Sequence, residues 1–191
     1  VQALLAAKPE AIFNVTFGAD LARFVREGNL RGLFKDRQVV SLLTGEPEYL
    51  DPLKDEAPKG WIVTGYPWYG ITRPSHVKFV DDYRAKYKEP PKLGSLIGYV
   101  TVQALAAILN KAQSTETEKL IAAARDLTFD SAIGPITFRA LDQQSTMGTW
   151  VGKLDLKDDH GIMVDWRFAD GKDYQLDAAD VKLRRPAEAM Q

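Results

Sequence analysis

The chain holds only two histidines, His76 and His160, so acid–base and metal chemistry have few residues to work with. A metal site needs a second histidine or a carboxylate at ligand spacing, such as i, i+4 on a helix. The one crowded set is Asp155, Asp158, Asp159 and His160, and Asp-Asp-His-Gly is equally the composition of a solvated hairpin loop. Asp81 and Asp82 are neighbours on a predicted helix, where adjacent side chains point about 100° apart. They cannot face each other as an acid and base. No serine stands in a G-x-S-x-G setting, and two histidines give a Ser-His-Asp triad little support. Walker and dinucleotide-binding glycine patterns are missing. The expectation is a protein that is not an enzyme and uses no metal or cofactor.

Binding residues are easier to find. Trp61 is followed by Tyr66, Pro67, Trp68, Tyr69 and Gly70 just beyond a predicted strand. In an open α/β sheet, ligands lie off the C-terminal strand ends, where Tyr and Trp rings can stack on an organic ligand and orient it. The same rings could instead pad a domain junction or core edge. Phe17-Gly18-Ala19-Asp20 and Thr44-Gly45-Glu46 also follow strands and share that rim. Their backbone N–H groups, near helix starts, suit a ligand carboxylate or simple helix capping.

The elements that must position these residues alternate in type. Residues 1–7 read as the end of a helix closed by Lys8 and Pro9, and 11–15 as a short apolar strand. Asp20 opens a helix bearing Leu21, Phe24, Val25 and Leu33, with Gly32 near its cap. Residues 38–43 form a second strand, 46–53 a short helix, and 61–64 a third strand after the Lys59-Gly60 turn. Continuous apolar strands alternating with helices predict a parallel sheet covered on both faces. Residues 75–87 place Phe79, Tyr83 and Tyr87 on one helical stripe, ended by Pro90 and Pro91. Residues 96–109 read as a helix buried on most sides. Thr115 and Glu118 have capping-box spacing for another helix, running through Leu127. Residues 136–139, 149–156 and 162–168 read as strands, separated by turns at Asp142-Gln143, Asp158 to Gly161 and Asp170-Gly171.

Bulk composition narrows the partners. With 45% apolar and 27% charged residues, the chain can bury a core under a soluble surface. A net charge of −1 gives no field that implies nucleic acid or an anionic membrane. Lys182, Leu183, Arg184 and Arg185 read as a solvated tail. There is no cysteine, hence no disulfide or thiolate site. No stretch reaches the ~18 apolar residues of a membrane span, and the N-terminus does not look like a signal peptide. The chain is expected to begin in mid-fold.

The series of motifs resembles a known family. Gly60-Trp61-Ile62-Val63-Thr64-Gly65-Tyr66-Pro67-Trp68-Tyr69 is similar to the second domain crossover of type I periplasmic solute-binding proteins, the branched-chain amino-acid receptor family. Phe79-Val80, Tyr83-Arg84-Ala85-Lys86-Tyr87, Gly98-Tyr99 and Val102-Gln103-Ala104 continue the pattern, followed by Lys111 to Thr115, Lys119-Leu120, Phe129-Asp130, Gly134-Pro135-Ile136-Thr137-Phe138 and Asp142-Gln143. Order and spacing match across nearly the whole chain.

The resemblance implies an α/β fold of that type: a parallel three-layer sheet of lobe two plus helices and a strand of an incomplete lobe one. It implies 1–65 as lobe-two sheet, 66–70 as hinge crossover, 71–147 as lobe-one helices, and 148–191 as a return to lobe two with a C-terminal tail. The implied function is a periplasmic receptor of an ABC importer, capturing a branched-chain amino acid or an aromatic or aliphatic acid between hinged lobes and presenting it to the membrane permease. The implied ligand contacts are Phe17, Gly18, Thr44, Gly45, Tyr66, Trp68 and Tyr69. Phe17 lies where the family places an aromatic contact. Thr44 lies near the family's ammonium-pairing carboxylate, a role Glu46 fills only after a small shift. The family's first half has no counterpart here, so the incomplete sheets imply a missing segment or self-association. The alternatives are a cytoplasmic amide sensor of the same fold and, further off, a small flavodoxin-like enzyme.

Overall fold

A computed structural model describes residues 1–184 of the chain. In chain order the elements are α1 (Gln2–Ala7), β1 (Ala11–Asn14), α2 (Gly18–Leu30), β2 (Gln38–Gly45), α3 (Pro47–Leu53) and β3 (Ile62–Gly65). Then come α4 (Pro74–Tyr87), α5 (Leu93–Ala112), α6 (Thr117–Ala124), β4 (Thr128–Ser131) and β5 (Gly134–Thr137). Last are β6 (Thr149–Lys157), β7 (His160–Ala169) and α7 (Ala178–Arg184). They fall into two compact units, one of Val1–Gly70 with Thr149–Phe168, the other of Ile71–Gly148 with the chain from Ala169 onward. The sequence places 148–191 in one body with 1–65. From Ala169 the chain instead belongs to the second unit, where Arg139 Nη1 donates to the Leu176 carbonyl (3.0 Å) and Gln175 Nε2 to that of Ser145 (2.7 Å). Lys182, Leu183 and Arg184 are exposed on α7; Arg185 lies outside the described residues.

The first unit is built on a five-stranded sheet of order β1-β2-β3-β6-β7. β1, β2 and β3 run parallel, and β6 returns antiparallel to β3. The β6–β7 turn places Asp158 and Asp159 at φ 50° and 60°, the left-handed pair that matches the twist of a tight hairpin. Period-two alternation sends Ile12, Asn14, Val39, Ser41, Trp61 and Val63 inward. Against this face α2 packs Leu21, Val25 and Gly28, and Phe34 wedges between Phe24 and Trp61 with centroids 5.4 and 4.6 Å away. The opposite positions, Phe13, Val40, Leu42 and Ile62, are exposed. Helices of the described residues thus cover one face of the parallel strands, not the two that the sequence implies.

In the second unit α5 carries a buried stripe of Leu96, Val100 and Ala104, while Tyr99, Val102, Leu105 and Leu109 are exposed. Burial on most sides is therefore corrected to burial on one stripe. The helix is also long and apolar enough to cross a membrane by length and composition alone. The sequence predicts no stretch of that kind; within this helix Ser95, Gln103 and Asn110 interrupt the apolar residues. The expected capping box at Thr115 is absent: α6 starts after Glu116 without a side-chain cap, and the Ser114 hydroxyl accepts the Glu116 amide instead. β4, which the sequence left unassigned, pairs antiparallel with β5. The Asp142-Gln143 turn is held by the buried Asp142 carboxylate, which takes Arg139 Nε at 2.9 Å and the Gln144 amide at 3.2 Å.

His76 is fully buried in the first turn of α4. Desolvation lowers its pKa, opposed by a hydrogen bond to the backbone of Ile71. A base held neutral in the fold but free to protonate when unfolded costs stability as pH falls. Stability of this unit should drop as pH falls from the ordinary histidine value near 6.5 toward the lowered one. Urea midpoints at pH 7.5 and pH 5 measure it. His76→Gln should flatten that slope, and an unchanged slope would show that His76 does not set it.

Candidate functional site

The C-terminal ends of β1 and β2 carry an inward-facing polar ladder. Asn14 Nδ2 donates to Ser41 Oγ at 2.8 Å, and Ser41 Oγ lies 2.6 Å from Thr44 Oγ1. Thr16 closes the upper end, its amide and hydroxyl both donating to Asn14 Oδ1 at 3.3 and 2.9 Å. Asn14, Ser41 and Thr44 are all buried, so the ladder satisfies groups that would otherwise be costly inside a core. Its effect is to fix where each strand ends. Above it, Phe17 has extended backbone (φ −143°), and its ring is 70% exposed.

Gly18 follows at φ +60°. A Cβ there would meet nothing within 4 Å, so glycine is required by backbone conformation rather than by space. The Gly18 amide donates to Tyr49 Oη at 3.2 Å, tying the start of α2 to α3. No side chain caps α2, leaving its first turn open to an acceptor at the positive end of the helix.

Glu46 sits at the next strand exit, between β2 and α3, and is 8% exposed. Burial, and then repulsion from Glu48, raise its carboxyl pKa from 4.5 to about 7. Near neutral pH it is therefore partly protonated, able to donate as well as accept.

The other expected contacts stand differently. Thr44 is fully buried and spends its hydroxyl on Ser41, and Gly45 is buried behind it. Tyr66 is 1% exposed, packed 5.5 Å from Trp150, its phenol pKa raised by burial and then by Glu48. These three are supports behind the rim, not surface. Trp68 is half-buried against Tyr69, with centroids 5.8 Å apart. Tyr69 is half-exposed, but its hydroxyl donates to the Met163 carbonyl (3.1 Å) and accepts the Met163 amide (2.7 Å), pinning the 66–70 segment to β7. Phe17 and Gly18 alone of the expected set come together as an exposed wall. Asn14, Ser41 and Tyr49 were missed, although a polar residue at an inward strand position was a visible signal for the first two.

The crowded acidic set is a solvated turn. His160 Nδ1 lies 2.8 Å from the Asp158 carbonyl, and Asp155 pairs with Lys59 at 3.3 Å.

A family model described as periplasmic binding protein matches residues 1–160. No curated protein matches the sequence. Among solved structures, a periplasmic binding protein from Burkholderia mallei is 19% identical with TM-score 0.75, covering 91% of this chain and 47% of that one. An ABC-transporter solute-binding protein from Rhodopseudomonas palustris BisB5, in complex with 3,4-dihydroxybenzoic acid, is 21% identical with TM-score 0.71, covering 88% and 48%. A leucine-binding protein from Thermotoga maritima is 22% identical with TM-score 0.69, covering 86% and 47%. These likenesses show the type I fold, and the chain spans about half the length of the relatives it matches.

Proposed function

We propose, from the premise that this chain belongs to the periplasmic binding protein family, that it is the solute-capturing component of an ABC importer and works outside the cytoplasm. Its ligand is a small organic acid, aromatic or aliphatic, in preference to an α-amino acid. The observation that carries this reading is the exposed Phe17 ring at the uncapped start of α2, above the buried Asn14–Ser41–Thr44 ladder. A ring gives an apolar face for the ligand body, and the open first turn of α2 gives N–H donors for its carboxylate. Glu46 favours the same class, because a carboxyl poised at about 7 is a weaker partner for an ammonium than a fully ionised one.

Residues 66–70 serve as the hinge in this proposal, and contacts made only in the closed form set its population. The closed form is what the membrane permease recognises.

Calorimetry with benzoate, 3,4-dihydroxybenzoate and leucine tests the proposal. Binding of an aromatic acid is expected, with Phe17→Ala weakening it about tenfold, from roughly 1.4 kcal/mol of lost ring contact. Leucine binding tightly while both aromatic acids give no heat would reject the ligand class. A Phe17→Ala variant with unaltered affinity would reject the site.

A further inference from the structure

We propose that Tyr69 is a positioning residue: through Met163, its hydroxyl seats the end of β2, and with it Glu46, against the 66–70 crossover. Tyr69 Oη donates to the Met163 carbonyl at 3.1 Å and accepts the Met163 amide at 2.7 Å. β7 is the last strand of the sheet, and this one hydroxyl meets both backbone groups of a residue that is itself 2% exposed.

The far end of Met163 reaches the end of β2. A Cβ on Gly45 would lie 2.7 Å from its sulfur, so the thioether rests on the bare Cα of Gly45. The Val63 side chain and the Thr64 carbonyl close the remaining space, each 2.9 Å from the same point. On its other side Gly45 gives its carbonyl to the amide of Tyr66, where the crossover begins, at 3.1 Å.

The end of β2 depends on such contacts because its ladder is irregular. Leu43 sits at φ 70° and the β2–β3 register shifts between Ser41 and Gly45, which disrupts regular strand pairing. The Leu43 amide goes instead to Thr64 Oγ1 at 3.0 Å, and the Leu43 carbonyl accepts the Glu46 amide at 2.9 Å. Glu46 thus hangs on a turn held by Tyr66 and by Met163. Glu48 is the charge that repels it, and Glu48 acts likewise on the buried Tyr66 phenol. Tyr69 governs the seating of Glu46 rather than these charges.

Without the hydroxyl, the Met163 amide and carbonyl lose their partner, and the strand must shift to find water. The sulfur then withdraws from Gly45, and water reaches Glu46. If Tyr69 served only to close the edge of β7, Glu46 would not register its loss. The purpose of this seating rests on the proposed binding role of Glu46, but the seating itself is tested without ligand.

All four tryptophans, Trp61, Trp68, Trp150 and Trp166, belong to the first unit, so their fluorescence follows its urea unfolding alone. Midpoints at pH 8 are compared for Glu46→Gln in the parent and in a Tyr69→Phe background, as a double-mutant cycle. Glu46→Gln should raise the midpoint in the parent, and less than half of that rise should survive in Tyr69→Phe. Tyr83→Phe removes a hydroxyl that accepts from Ser95 at 3.1 Å in the second unit, and should leave the rise whole. Should Tyr69→Phe not fold, Met163→Leu withdraws the sulfur while keeping the backbone that Tyr69 holds, and the same loss is expected. A rise that keeps more than half its size in either background overturns the proposal, and so does the absence of a rise in the parent. Ligand calorimetry can fail while this cycle succeeds, which would reject the ligand class and leave the positioning role standing.

Discussion

Gly65→Ala should unfold the first unit, lowering its stability by about 4 kcal/mol, at the upper end of what overpacking costs. A Cβ at Gly65 would lie 2.2 Å from both the carbonyl carbon and oxygen of Gly45 and 2.4 Å from its Cα. All three are backbone atoms, so no rotamer change makes room. A Cβ at Gly45 would in turn lie 2.7 Å from Met163 Sδ and 2.9 Å from the Thr64 carbonyl, so neither strand has room for a side chain at this crossing. The pair is held in register as neighbours of β2 and β3, so relief requires parting the strands beneath the rim. Gly98→Ala is the contrast: nothing lies within 4 Å of its added methyl, it sits inside α5, and removing helix-interior glycine should stabilise by about 0.5–1 kcal/mol. Urea unfolding of both variants measures the difference. Wild-type behaviour of Gly65→Ala would mean that the two strands are not in contact there.

The alternation of β1, α2, β2, α3 and β3 was legible because buried parallel strands read as continuous apolar runs and α2 shows one apolar stripe. β4 was not legible. Thr128-Phe129-Asp130-Ser131 has a single large apolar residue, and its strand character comes from β5 across the Ser131–Gly134 turn, where the Ser131 hydroxyl donates to the Gly134 carbonyl at 2.6 Å. The extent of burial on α5 was misread for a related reason. Apolar composition states what a helix would bury, whereas neighbouring elements decide what it does bury.

At the site, the junction Phe17-Gly18 was readable as a strand exit feeding a helix. The burial of Thr44 traces to one feature. Strict alternation along β2 puts even-numbered residues outward, as Val40 and Leu42 are. Leu43 breaks that phase at φ 70°, where the β2–β3 register shifts. Past such an irregularity, side chains exchange faces, so Thr44 turns inward to Ser41. Tyr66 follows similarly from packing on Trp150, a residue distant in sequence that no local pattern could supply.

Glu46→Gln should stabilise the first unit at pH 8 by about 2–3 kcal/mol and change little at pH 4. The folded carboxyl titrates at about 7 against an ordinary 4.5, so the native state binds the proton more tightly than the unfolded chain. Its contribution is therefore whole below 4.5 and is lost as pH rises through 7, because the native state must then hold a buried, repelled charge. Each pKa unit corresponds to roughly 1.36 kcal/mol, which sets the size. Glutamine keeps the shape and cannot ionise, so it removes the cost at high pH alone. Urea midpoints at pH 4, 6 and 8 should run apart for the two proteins as pH rises; parallel lines would show that Glu46 is not held in a desolvated place. A group that costs the fold stability at neutral pH is the kind kept for binding, and the same variant reads that out. If Glu46 meets the ligand, affinity for an aromatic acid should vary with pH around 7 in the parent and lose that variation in Glu46→Gln. Persistence of the variation would assign it to another group.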